Sequence, residues 1–256
     1  MFSPNLFEGK TALVTGGGTG IGFDISKQLL QLGARVYIAS RKEEKLQKAA
    51  ELLNDFGPCT AILCDIRDTA QVKELSYRIM DGTGRLDILI NNAGGQFPSL
   101  AEDLSEKGWL AVINNNLNGT WFVTQQMAKT FFIPQHRGII VNMILNTHLG
   151  NPGMIHSGAA RAGVDNLTKS LAVEWSKYNI RVNAIAPGII QSSGLENYPP
   201  EMLQGLTDII PMARLGSTEE VAWLTLFLSS PMAAYITGET IAIDGGQRLY
   251  SSPFKL

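Results

Sequence analysis

Three glycines, Gly16, Gly20 and Gly22, stand in a Gly-x-x-x-Gly-x-Gly spacing between an apolar run, Thr11–Thr15, and a helical pattern, Ile21–Leu32. Glycine lets a backbone approach a pyrophosphate closely. A helix start adds unpaired N–H groups and the positive end of its dipole. Strand, glycine turn and helix in that order form the context a dinucleotide needs. Gly16, Thr19, Gly20, Ile21 and Gly22 are therefore candidate cofactor contacts. The second apolar run ends in Ala39-Ser40-Arg41. An acidic side chain there would accept from the ribose hydroxyls of NAD. A guanidinium pairs instead with a 2′-phosphate, and Ser40 can donate beside it. The expected cofactor is NADPH/NADP+; the alternative is that Arg41 is a solvated helix-start residue. Asp65, after the third apolar run, either accepts from the adenine amino group or caps the next turn.

These residues need elements to hold them, and the chain alternates short apolar runs with helical patterns. Strands are expected at Thr11–Thr15, Arg35–Ala39, Thr60–Cys64, Leu86–Ile90, Ile139–Ile144, Arg181–Ile185 and Thr240–Ile243. Helices are expected at Ile21–Leu32, Glu43–Phe56, Ala70–Met80, Trp109–Phe132, Ile155–Tyr178 and Glu219–Leu228. Such alternation implies parallel strands joined by right-handed crossovers. Strands that are apolar throughout fit a sheet covered on both faces. The fold class is α/β: one doubly wound, Rossmann-type domain over residues 1–256. Ligands then bind beyond the carboxyl ends of the strands. Those ends carry Thr15-Gly16, Ser40-Arg41, Asp65, Asn91-Asn-Ala-Gly94, Leu145-Asn146 and Pro187-Gly188.

The composition excludes several classes. Of 256 residues, 45% are hydrophobic and 17% charged, enough for a large core and too apolar for a disordered chain. With 21 basic and 23 acidic residues the formal charge is -2, so no bulk attraction to nucleic acid arises. Cys59 and Cys64 sit in one strand-like run and face opposite ways, which argues for core thiols in a reducing compartment. The three histidines have no cysteine partners nearby, so no metal site is expected. No apolar run approaches the ~20 residues of a membrane span. The N-terminus has no signal pattern, and a cytoplasmic location is expected. The terminal Phe254-Lys-Leu256 only faintly echoes a peroxisomal address.

Taken together, Thr15-Gly-Gly-Gly-Thr-Gly-Ile-Gly22, Asn91-Asn-Ala-Gly94, Asn116-Leu-Asn-Gly119, Arg181-Val-Asn-Ala-Ile-Ala-Pro-Gly188, Ile236-Thr-Gly238 and Asp244-Gly-Gly246 resemble the short-chain dehydrogenase/reductase family over nearly the whole chain. The resemblance implies that Ala93 and Gly94 pack on the adenosine ribose. It also implies that Pro187, Gly188, Ile190 and Ser192 hold the nicotinamide end. The chain departs from the family's catalytic pattern. Aligned on Ala162-Gly163-Val164, the usual tyrosine is Ser157, the usual lysine is Arg161, and the usual serine falls near Leu145. Asn91-Asn-Ala-Gly-Gly-Gln-Phe97 and His156-Ser-Gly-Ala-Ala-Arg-Ala-Gly163 resemble the peroxisomal trans-2-enoyl-CoA reductase branch. Asn118-Gly119-Thr120 resembles the run with which 2,4-dienoyl-CoA reductases hold a thioester carbonyl. Long helices like Trp109–Phe132 pair between subunits in relatives, which implies a homotetramer or homodimer.

Read this way, the sequence suggests an NADPH-dependent reductase of an enoyl-CoA or similar acyl thioester. Negative charge grows on the thioester oxygen, and preorganised donors must meet it. The candidates are the amides of Asn116 and Asn118. Arg161 would hold the nicotinamide ribose, because a guanidinium cannot give up its proton. Ser157 is too weak an acid to replace tyrosine. His156 titrates near neutrality and borders the tyrosine position, so it is a candidate acid. Tyr198, in the loop after Pro187-Gly188, is another, and water is a third. Gln96 and Phe97 are expected at the acyl entrance. Two other readings compete: a carbonyl or alcohol oxidoreductase with an atypical acid, and a catalytically weak NADP-binding subunit or sensor.

Overall fold

The computed structural model describes residues 2–148, 150–192, 194–195 and 200–249. Among the described residues nine strands follow one another: β1 (Thr11–Thr15), β2 (Arg35–Ser40), β3 (Cys59–Leu63), β4 (Ile88–Asn91), β5 (Gly138–Met143), β6 (Ile180–Pro187), β7 (Ile190–Gln191), β8 (Gly216–Ser217) and β9 (Thr240–Ile243). Seven of them form one sheet in the order β3-β2-β1-β4-β5-β6-β9. Every pairing in that sheet is parallel. The order reverses between β1 and β4, and a crevice opens at that switch point.

The helices are α1 (Gly20–Gln31), α2 (Glu43–Leu53), α3 (Thr69–Thr83), α4 (Glu106–Ile113), α5 (Gly119–Met127), α6 (Ile133–Gln135), α7 (Ile155–Glu174), α8 (Pro200–Leu203) and α9 (Thr218–Ser229). Side chains alternate across a strand, and β1 shows the consequence. Ala12 and Val14 join Ile25 and Leu29 of α1, Leu46 of α2 and Leu226 of α9 in one core. Leu13 faces the other way, into a core with Leu75 of α3, Val123 of α5 and Leu171 of α7. The doubly wound architecture expected from the sequence is thus present, with a helical layer on each face.

Two differences from the expected elements bear on the site. The helix expected at Trp109–Phe132 is a longer, interrupted one. Between α4 and α5 the backbone adopts π-helical geometry over Asn114–Asn118, and again over Ala128–Phe132 before α6. A π turn inserts an extra residue and re-aims the side chains around it; here these are the asparagines Asn114, Asn115, Asn116 and Asn118. The strand expected to end at Ile144 ends at Met143, so Ile144 and Leu145 leave the sheet and wall the crevice. Cys59 and Cys64 are buried free thiols, and burial pushes both up to about 12. No helix among the described residues is long and apolar enough to cross a membrane. No cluster of three or more metal-ligating side chains occurs among them either.

Candidate active site

The glycine turn is shaped by close approach. Gly16 has a left-handed backbone, φ +66°, and a Cβ there would lie 3.0 Å from both Ala93 Cα and Asn92 Nδ2. At Gly22 a Cβ would come within 2.3 Å of Gly16 O and 2.4 Å of Asn92 Nδ2. The turn is braced from β4: Asn92 Nδ2 donates to Thr15 O (3.0 Å) and Gly16 O (3.1 Å), while the Asn92 and Ala93 amides donate to Thr15 Oγ1 (both 3.1 Å). Helix α1 starts with no side-chain cap and no acidic residue in its first turn. By contrast Asp68, Ser105 and Ser217 cap α3, α4 and α9. The first N–H groups of α1 are thus left to an outside acceptor.

Two cavities meet at this turn. The first, about 580 Å³, is lined by Gly16, Thr19, Gly20, Ile21, Ser40, Arg41, Ala93, Gly94 and Ser192 among others. The second, about 540 Å³, is lined by Gly94, Arg161, Pro187, Gly188, Ile190 and Ser192 among others. Ile21, Asn92, Gly94, Ser192 and Gly194 line both, so the two are lobes of one crevice. Nearly all the cofactor residues read from sequence lie on its walls. Gly22 is the tight packing point behind the turn. Lys42 and Lys45 also line the first lobe beside Arg41. They were missed because lysines at a helix start look like ordinary solvated charge. Asp65 is not among the lining residues. Its carboxylate accepts three bonds from the Arg67 side chain, at 2.6–3.1 Å. Hydrogen bonding from Arg67 holds it below the usual carboxylate range, and the charge of Arg41 adds a smaller pull.

The second lobe is walled by aliphatic side chains, including Met143, Ile144, Leu145, Met154, Leu203 and Leu206. Where the family's serine would offer a hydroxyl, Leu145 offers a hydrocarbon. At the inner end of the lobe stands Arg161, 8% exposed. Its Nη1 donates to Met143 O at 2.8 Å. Among the described residues no carboxylate lies within ion-pair distance of it. Burial lowers Arg161 to about 10, which leaves it cationic at neutral pH. Its Nη2 sits so close to Gly94 that a Cβ there would lie 2.1 Å away, and Asn116 Oδ1 would be 3.3 Å from the same point.

The candidate donors are distributed unevenly. Asn116 is fully buried; its Oδ1 accepts from Gly95 N at 3.0 Å, and its Nδ2 has no partner among the described residues. Asn118 lies on neither lobe, and its Nδ2 donates to Asn114 Oδ1 at 2.8 Å within the π turn. The thioester-holding place suggested for Asn118 is not what the geometry offers; the π turn presents Asn115 to the first lobe and Asn116 beside Gly94 instead. Ser157 is buried and donates from Oγ to Gln96 Oε1 at 2.5 Å. His156 is fully buried and lines neither lobe. Its Nδ1 accepts from Ser157 N at 2.9 Å, and the Phe97 ring meets its edge 4.7 Å away. That hydrogen bond and the Phe97 contact give the His156 ring a packing role away from both lobes. Tyr198 and the Phe254-Lys-Leu256 terminus lie outside the described residues.

Residues 16–248 match the family described as enoyl-(acyl carrier protein) reductase. The chain belongs to the short-chain dehydrogenase/reductase family. It is an oxidoreductase of this family, and the fold with its glycine turn implies a nicotinamide cofactor. Among curated relatives, a probable 2,4-dienoyl-CoA reductase from Bacillus subtilis is 40% identical over 253 residues, covering 96% of this chain and 100% of that protein. A 3-oxoacyl-[acyl-carrier-protein] reductase from Thermotoga maritima is also 40% identical, over 243 residues, with 93% and 98% covered. Among solved structures, the citronellol catabolism dehydrogenase of Pseudomonas aeruginosa superposes with a TM-score of 0.88 at 41% identity, covering 97% of this chain and 98% of that one. The residues fit the cofactor that the family implies. The glycine cradle has room only without a Cβ, α1 has no side-chain cap, and the buried Asn116 Nδ2 has no acceptor among the described residues.

Proposed function

We propose that this chain is an NADPH-dependent reductase of the C=C bond of an enoyl-CoA, dienoyl-CoA or similar acyl thioester. One observation carries the reading: in the aliphatic lobe, beside the Gly94 that lines both lobes, lies a buried guanidinium, Arg161, with no carboxylate within ion-pair distance among the described residues. When bound, the reduced nicotinamide supplies hydride. Reducing a ketone makes an alkoxide, which needs a proton donor at once. Ser157 has replaced the tyrosine that would give it. Reducing an enoyl thioester instead places charge on the thioester oxygen, and the proton ends on carbon. A guanidinium that stays charged through neutral pH stabilises that oxygen without serving as the acid. The names of the 2,4-dienoyl-CoA reductase relatives point the same way.

In this reading Gly16, Thr19, Gly20 and Ile21 receive the pyrophosphate, and Ser40 and Arg41, helped by Lys42 and Lys45, receive the 2′-phosphate. Ala93 and Gly94 pack on the ribose. Pro187, Gly188, Ile190 and Ser192 orient the nicotinamide end, and Asn116 braces the Gly94–Gly95 loop against it. Arg161 holds the nicotinamide ribose and also faces the thioester oxygen. The aliphatic wall excludes water, which strengthens that attraction. Exposed Trp109 and Leu110 on α4 and Val173 on α7 support assembly into a dimer or tetramer, which sedimentation velocity reads directly. NADPH consumption with crotonyl-CoA, longer enoyl-CoAs, a 2,4-dienoyl-CoA and a ketone panel tests the function. Turnover of the thioesters and not of the ketones is expected; the reverse would assign the chain to carbonyl reduction.

A further inference from the structure

We propose that a second site, at the opposite end of the sheet from the crevice, binds a small carboxylate with a short aliphatic chain, its head group held by Lys10 and Arg137. This site goes beyond the thioester reading and does not depend on it. A cavity of about 440 Å³ opens at the amino ends of β1, β4, β5 and β6. Small-molecule sites span about 300–1,000 Å³, so the size fits. The cavity shares no lining residue with either lobe of the crevice. Strand β5 separates them: Gly138 lines the cavity and Met143 lines the crevice, roughly 17 Å away at the rise of a parallel strand.

Positive charge outnumbers negative charge on this wall. Asp87 is buried, and Arg85 holds it in two bonds, to Oδ1 at 2.6 Å and Oδ2 at 3.0 Å. The Thr11 amide donates to Oδ2 as well, at 3.0 Å. Lys10 Nζ and Arg137 Nη2 stand 3.8 and 3.5 Å from the same Oδ1. Both distances exceed an ordinary hydrogen bond. Three cations thus gather at one carboxylate, and Lys10, Arg137 and Asp87 all line the cavity. Arg181 lines it too, and donates to the neutral carbonyls of Leu228 (2.8 Å) and Ser230 (3.2 Å). Among the described residues no carboxylate lies within ion-pair distance of Arg181. Ser229, another lining residue, is buried, and its Oγ has no partner among the described residues. The rest of the wall includes Phe7, Ile88, Ile139, Ile180, Pro231 and Ala234. An inorganic anion would leave that apolar wall wet, and an uncharged chain would leave the cations short of a partner. A carboxylate with an aliphatic chain meets both. Its head takes a forked bond from Arg137 and the point charge of Lys10, and its chain covers the isoleucines.

The test titrates octanoate into the full chain and follows the isoleucine methyl signals by NMR. Ile88, Ile139 and Ile180 report on the cavity, while Ile21 and Ile144 report on the crevice. In the wild type the cavity methyls should shift along one saturating curve. The double variant Lys10→Gln, Arg137→Gln should weaken that binding about 10- to 100-fold, as expected for lost charge-assisted bonds, with NADPH affinity unchanged. Ala234→Trp, at an exposed position, fills the cavity and should weaken octanoate binding without touching the cations. Inorganic phosphate and octanol should each bind at least about 10-fold more weakly than octanoate, since each lacks one half of the fit. Phosphate or octanol binding as tightly as octanoate would overturn the carboxylate assignment. Shifts confined to Ile21 and Ile144, or cavity curves unchanged in both variants, would overturn the site. No turnover enters these readouts, so failure of the thioester reading leaves them intact.

Discussion

Arg161 and Gly94 are matched residue for residue: the guanidinium Nη2 fills the space where any side chain at 94 would begin, with a Cβ there only 2.1 Å away. The buried cation depends on the bare glycine for its place. The glycine in turn brings the loop that would cover the ribose to within reach of that cation. Losing either residue should disturb the junction where the two lobes meet.

Arg161→Ala should lower kcat for enoyl-CoA reduction by about 10²–10³-fold, the range seen when one oxyanion donor is removed. NADPH binding by calorimetry should weaken much less. Arg161→Lys keeps the charge but loses the planar fork, and the bond to Met143 O competes for what remains. It should recover part of the rate. Equal kcat in all three proteins would remove Arg161 from the chemistry.

The pH profile separates a guanidinium charged through neutral pH from a histidine acid. Arg161 is lowered to about 10 by burial and loses its charge only above that value. Because the folded value lies below the unfolded one, burying the cation costs stability below about pH 10, and that cost fades as pH rises above it toward the unfolded value. Activity has the opposite sign: kcat should stay level between about pH 6 and 9 and fall as Arg161 deprotonates. A break near the ordinary histidine range, at about pH 6.5, would bring a histidine back as the acid.

Arg41→Asp should reverse the cofactor preference. Charge-assisted bonds to a phosphate contribute about 1.5–3 kcal/mol, so KM for NADPH should rise about 10- to 100-fold. KM for NADH should fall or hold. Steady-state kinetics with both nucleotides measure this. An unchanged ratio would mean that Lys42 and Lys45 do not need Arg41, or that the 2′-phosphate lies elsewhere.

Gly22→Ala should destabilise the fold and abolish dinucleotide binding together. Its Cβ would meet Gly16 O at 2.3 Å, so the turn must open. Overpacking of this kind costs about 1–3 kcal/mol. For a chain of this size that is a loss of roughly 2–12 °C in Tm, read by calorimetry. Unchanged Tm with full NADPH affinity would show that the turn relaxes freely.

The sheet and its crevice were legible because both rest on local patterns. Short, wholly apolar runs such as Thr11–Thr15 mark buried parallel strands, and the glycine spacing marks the turn. The place of Arg41 on the crevice wall was legible because it follows the end of a strand. What escaped depended on long-range placement. The π turn at Asn114–Asn118 leaves no mark in apolar spacing, so Asn116 and Asn118 could not be told apart as candidate donors. His156 sits beside the substituted tyrosine position in sequence, yet its ring is buried under Phe97. Gln96 is 61 residues from Ser157, and only the folded chain brings them into contact.

The central claim is that hydride reaches a thioester-conjugated C=C bond in a crevice whose proton donor for ketones is gone. The direct measurement is NADPH oxidation with trans-2-enoyl-CoA and 2,4-dienoyl-CoA substrates, with the products identified by mass spectrometry. The account predicts a gain of two hydrogens on the acyl chain for each NADPH consumed, and no turnover of simple ketones. NADPH consumption with ketones giving alcohols, and none with the thioesters, would contradict it.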